Sequence, residues 1–168
     1  SVRGMSFRPP EPDGETAPVP CIDLAGTGVI LEDNRIAGGA GPAVLVHGDA
    51  RPILRANHIT GGAGGGVVLE GTSGGAIVDN LIAGGEKAAV IVREDARPLL
   101  SGNRITGAGQ AGILFAGGGG RLLGNEISGT EASGIEVRGG AAPEVIGNRI
   151  EAAGEAGIYV YRDGRGWV

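Results

Sequence analysis

Apolar residues occur along this chain in short clusters broken every few residues by Gly, Pro, Asp or Asn, and the clusters repeat. The register mark is asparagine. All six asparagines, Asn34, Asn57, Asn80, Asn103, Asn125 and Asn148, are followed two residues later by Ile, at steps of 23, 23, 23, 22 and 23. Stacked on that period, three further columns are wholly apolar. Leu31, Leu54, Ile77, Leu100, Leu122 and Val145 stand three residues before each Asn. Val44, Val67, Val90, Ile113, Ile135 and Ile158 stand ten after, and Val46, Leu69, Val92, Phe115, Val137 and Val160 twelve after. A small residue, Ala43, Gly66, Ala89, Gly112, Gly134 or Gly157, opens the last strand of each repeat. Pro52, Pro98 and Pro143 begin another strand, where a missing N–H costs little. Alternation of inward and outward side chains predicts three short strands per period and no helix.

A period of this length with three strands fits one right-handed turn of a parallel β-helix, each coil hydrogen-bonding to the next about 4.8 Å away. The predicted fold is all-β, a single-stranded right-handed parallel β-helix of about seven coils, some 34 Å long. Each coil sends roughly four aliphatic side chains inward, worth about 6–12 kcal/mol gross before entropy. The asparagines are expected to form a ladder of stacked amides, since an identical amide above and below satisfies both donor and acceptor. In the first coil Val2, Met5 and Phe7 take the column before Asn, the Asn slot and the Ile column, and Ile22 and Leu24 the two last-strand columns. A Pro-rich stretch over residues 8–20 enlarges that coil and is a candidate specificity loop. Residues 1–168 read as one domain whose two ends cut a coil in mid-turn, which predicts an excerpt of a longer chain.

Composition narrows the partners. Thirty-six glycines exclude a helical bundle. Fourteen cationic against 19 acidic residues, net −5, with no basic run, argue against nucleic acid. No apolar run approaches the roughly 18 residues of a membrane span. The single Cys21 cannot form an internal disulfide and leaves the compartment undetermined.

The Asn-Xaa-Ile triplets and strand openings such as Gly134-Ile135-Glu136-Val137 resemble the parallel β-helix repeat superfamily over nearly the whole chain. That resemblance implies the fold and several activities. Pectate lyases, polygalacturonases, alginate C5-epimerases, a periplasmic copper-enzyme maturation protein and the substrate-binding domain of an F-box ubiquitin-ligase subunit share it, so function must be read from the outward residues.

Thirteen residues after each Asn the outward column reads His47, Glu70, Arg93, Ala116, Arg138 and Tyr161. A carboxylate stacked between an imidazole and a guanidinium suits acid–base work on a sugar; it equally suits a solvated ladder of opposite charges worth about 0.2–1 kcal/mol per pair. Asp49 and Asp95 recur in two Asp-Ala-Arg-Pro turns, two coils and about 10 Å apart, too far to share a calcium ion. The chain lacks the Asp-Pro-His triplet that would resemble an alginate epimerase site and the paired aspartates expected of a polygalacturonase. His58 reads as a surface histidine, and Cys21 as a small-column filler rather than a nucleophile. No metal or cofactor is expected.

Two other outward columns are apolar where solvent-facing positions should be polar. Leu45, Val68, Ile91 and Leu114 precede Glu136 and Tyr159 in one; Ile30, Ile53, Ala76 and Leu99 precede Arg121 and Glu144 in the other. A strip of that size on a soluble protein marks a contact surface, although β-propensity alone also favours these residues. The expectation is a non-catalytic binding or scaffolding module contacting a protein partner, a second copy, a neighbouring domain or a polysaccharide. The alternative is a lyase, epimerase or hydrolase of uronic-acid-type polymers centred on His47, Glu70 and Arg93.

Overall fold

The computed structural model describes residues 1–9 and 17–168, so residues 10–16 of the Pro-rich stretch lie outside the described residues. Twenty-one strands form three seven-stranded parallel sheets. In the first sheet Val2–Arg3, Ile30–Glu32, Ile53–Arg55, Ala76–Val78, Leu99–Ser101, Gly119–Leu123 and Ala142–Ile146 lie side by side in that order. The second stacks Ser6–Phe7, Arg35–Ala37, His58–Thr60, Leu81–Ala83, Arg104–Thr106, Glu126–Ser128 and Arg149–Glu151. The third stacks Ile22–Leu24, Val44–Val46, Val67–Leu69, Val90–Glu94, Ile113–Gly117, Ile135–Arg138 and Ile158–Val160. The chain visits the sheets in rotation, so each strand pairs with the strand one coil away. Seven rungs are present, joined by six complete turns.

Register follows the sequence columns. Leu54 pairs with Ile77, Ile59 with Ile82, and Val67 with Val90. Within one coil Leu54, Ile59, Val67 and Leu69 are all fully buried, so the interior is a filled column of aliphatics with Phe115 its only wholly buried aromatic among the described residues. At the first and last rungs Val2, Phe7, Ile150 and Ile158 are half-buried, each having a neighbouring rung on one side.

The small opening residue has a steric cause. A Cβ on Gly112 would lie 2.5 Å from Cγ2 of Ile127, and one on Gly134 2.4 Å from Cγ2 of Ile150. The isoleucine of each triplet therefore leans into the space that the small column leaves open.

Asn34, Asn57, Asn80, Asn103 and Asn125 are buried where the chain turns from the first sheet to the second. From Asn57 to Asn148 each Oδ1 accepts twice from the preceding coil: Asn80 Oδ1 takes the Asn57 backbone N–H at 2.9 Å and the Asn57 Nδ2 at 3.0 Å. The other Nδ2 hydrogen goes to a core-residue carbonyl one coil back, as from Asn80 to Leu54 O at 2.9 Å. Met5 occupies the slot as expected, and its backbone N–H donates to Asn34 Oδ1. Immediately before each ladder position the backbone is left-handed, at Gly4, Asp33, Ala56, Asp79, Gly102, Gly124 and Gly147.

Candidate functional site

With the interior closed, the chemistry lies on outward positions of three faces and the corners between them. On the third sheet the middle residue of each strand points out, and the register aligns Asp23, Leu45, Val68, Ile91, Leu114, Glu136 and Tyr159 in one file. On the first sheet Ile30, Ile53, Ala76, Leu99, Arg121 and Glu144 form the corresponding file. These files lie on adjacent faces and are both aliphatic over the same middle rungs.

Their exposure differs. Ile53 is 41% exposed, whereas Val68 is only 5% exposed and Leu45, Ile91 and Leu114 are half-buried. Stacked branched side chains cover one another at rung spacing. The Gly-rich turn beside them also closes in: a Cβ on Gly65 would stand 3.4 Å from Ile91 Cδ1.

The polar column at the corner after the third sheet consists of two separate pairs rather than one relay. His47 Nε2 lies 2.6 Å from Asp23 Oδ1, so the imidazole turns back toward the first coil. Glu70 Oε2 accepts from Arg93 Nε at 2.7 Å and also from its Nη2. Glu70 is thus engaged by the guanidinium and is not poised between His47 and Arg93. Asp23 was absent from the expected polar column, yet its outward position follows from the inward Ile22 and Leu24 on either side. A carboxylate on Nε2–H leaves the neutral imidazole's Nδ1 free to accept a proton. Asp49 and Asp95 are exposed in their turns. Among the described residues no group of three or more His, Cys, Asp or Glu is placed to hold a metal ion.

At the last rung the rings of Tyr159 and Tyr161 stack with centroids 4.5 Å apart, and the Tyr161 hydroxyl donates to Glu136 at 3.1 Å. Desolvation, and secondly that hydrogen bond, push the Tyr161 hydroxyl above its usual range. Cys21 is half-buried against the core, and desolvation raises its thiol, which disfavours the thiolate a nucleophile requires.

The second sheet presents Arg35, His58, Leu81, Arg104, Glu126 and Arg149 outward in register. His58 is a surface residue as expected. The outward columns that the sequence reading singled out omit this face, apart from His58.

A family model described as "Right handed beta helix region" matches residues 20–150 of this chain. No curated protein and no solved structure matches it.

Proposed function

As this chain belongs to the right-handed β-helix family, we propose that it is a non-catalytic binding or scaffolding module that presents a flat aliphatic surface to a protein partner. The observation that supports this reading is the coincidence of the two outward aliphatic files on adjacent faces over the same rungs, with Ile53 the most open member. Charged pairs also stand at outward strand positions. Arg55 pairs with Glu32 at 2.5 Å on the same strands as Ile53 and Ile30, and Arg121 pairs with Glu144 at 2.8 Å at the end of the same file, so ion pairs border the aliphatic file of the first sheet. A rigid rod makes such a surface economical in entropy, because strand side chains on a stacked sheet are already ordered before contact.

Triple substitution of Leu45, Ile53 and Ile91 by glutamate tests this. Folding should be retained, since none of the three is among the core residues, and association should be lost, whether with a second copy or with a protein partner. Unchanged solution mass together with unchanged partner recovery would overturn it.

The Asp23–His47 pair favours a second reading, acid–base chemistry on a uronic-acid-type polymer with His47 as the base. New unsaturated ends or an altered epimer ratio, abolished by His47→Gln, would support it; an inert panel of such polymers, with and without calcium, would exclude it.

A further inference from the structure

The first three rungs of the second sheet carry an arrangement found nowhere else on the described surface. Ser6, Arg35 and His58 are register partners in one outward column. Ala37 and Thr60 are register partners in the neighbouring column, where Arg8 stands one rung earlier. Ala37 is the small floor. Around it stand Arg8, Arg35, His58, Ser6 and Thr60, which line a depression of about 210 Å³. Side chains on adjacent rungs and on alternate residues of one strand are separated by only about 5–7 Å, so all five can reach one small group held above Ala37.

Charge makes this depression unusual. Five arginines meet a carboxylate on the same or the next rung: Arg3 and Arg55 meet Glu32, Arg93 meets Glu70, Arg121 meets Glu144, and Arg149 meets Glu151. Among the described residues Arg8 and Arg35 are in no ion pair, as are several other arginines, but here two arginines and His58 line one depression that no described carboxylate shares. Arg8 and Arg35 are diagonal neighbours on adjacent rungs, where two cations are unfavourable without a counter-charge. The far end of the same sheet supplies the internal contrast. There Arg104, Glu126 and Arg149 alternate in register and line a similar depression whose charges are already balanced.

We propose that the depression formed by Arg8, Arg35, His58, Ser6 and Thr60 over Ala37 is a binding site for a tetrahedral oxyanion, a phosphate or sulfate group carried on a larger ligand. Two guanidinium forks, an imidazole and two hydroxyls offer more donors than the two oxygens of a carboxylate can use, and guanidinium groups bind oxyanions in bidentate fashion. The site lies on a different face from the aliphatic files, so its failure would leave the proposed contact surface standing.

Titration of isotope-labelled protein with inorganic phosphate and with inorganic sulfate, at ionic strength fixed with chloride, tests it. The expected result is saturable amide shifts centred on Arg35, Ala37 and His58. Arg8→Gln and Arg35→Gln should each weaken binding by about tenfold, and Arg149→Gln should leave it unchanged. Ala37→Leu, which fills the floor without removing charge, should also weaken it, so the result does not rest on charge deletion alone. Polyphosphate outcompeting a sulfated polysaccharide would identify phosphate as the carried group, and the reverse would identify sulfate. Absence of saturable shifts, shifts scattered over all arginines, or equal weakening by Arg149→Gln and Arg35→Gln would overturn the proposal.

Discussion

Asn80 shows how much one side chain holds in this fold. Its oxygen accepts two N–H groups of Asn57, and its amide donates to Leu54 O, to Val78 O and to Asn103 Oδ1. Asn80→Ala leaves several buried groups unpaired at about 1–3 kcal/mol each, so a loss of at least about 3 kcal/mol is expected in urea denaturation. Asn148, only partly buried at the last rung, should cost much less. The left-handed residue before each Asn gives a matched pair. Gly124→Ala, φ 60° with nothing within 4 Å of the new Cβ, should destabilise by about 1 kcal/mol through backbone strain alone. Ala56→Gly, φ 53°, should stabilise by a similar or smaller amount. Cys21 sets a pH dependence. Burial raises its thiol, so the unfolded chain releases that proton first and stability falls as pH rises past the usual thiol value of about 8.5. Stability measured by denaturant titration across that range should decline more steeply in the parent chain than in Cys21→Ala. The ladder was legible in the sequence because one residue type marks it without exception. The left-handed turn was not, because Asp33, Ala56 and Asp79 carry no common side-chain signal and the backbone is fixed by the stacking on either side.

Among the elements, the turn from the third sheet to the first combines a close backbone approach with positive φ. Pro52, Gly75, Pro98, Gly120, Pro143 and Gly166 alternate along one file, and the glycines have φ of 94°, 117° and 140°. A Cβ on Gly75 would lie 2.2 Å from Pro52 O, and one on Gly120 2.3 Å from Pro98 O. Backbone cannot yield as a flexible side chain does, so Gly75→Ala and Gly120→Ala should each cost about 2–4 kcal/mol, read as a lowered denaturation midpoint with unchanged circular dichroism below it. The prolines of this file were evident from the sequence. Their alternation with strained glycines was not, because glycine is so abundant here that no single one stands out. The same limit applied to the polar column: that His47, Glu70 and Arg93 share a file follows from the period, but His47 turning to Asp23 is a choice of rotamer across rungs. The depression over Ala37 was hidden for a related reason. A small residue matters only when its four neighbours on other rungs and columns are known.

At the scale of the whole molecule the fold is a one-dimensional stack in which each coil touches only its neighbours, so stability is a sum over rungs and interfaces. The aliphatic interior and the ladder hold the rod rigid, and function is left to its outer faces. On the first and third sheets these faces are aliphatic over the middle rungs, and on the second they are basic at the first rungs and charge-balanced at the last. The aliphatic files were readable from the columns, but their unequal exposure was not: Val68 is only 5% exposed, and Ile91 is approached by an adjoining turn that the period alone does not place. The central claim is that association runs through the aliphatic files of the first and third sheets and not through the second sheet. Its most direct measurement is light scattering coupled to size-exclusion chromatography, with the protein alone and with its captured protein partner, on two matched variants. Ile53→Glu lies on the aliphatic file and Leu81→Glu, comparably exposed, lies on the second sheet. The account predicts that the first abolishes the associated species and the second leaves it intact. Equal behaviour of the two, whether both retained or both lost, would contradict it.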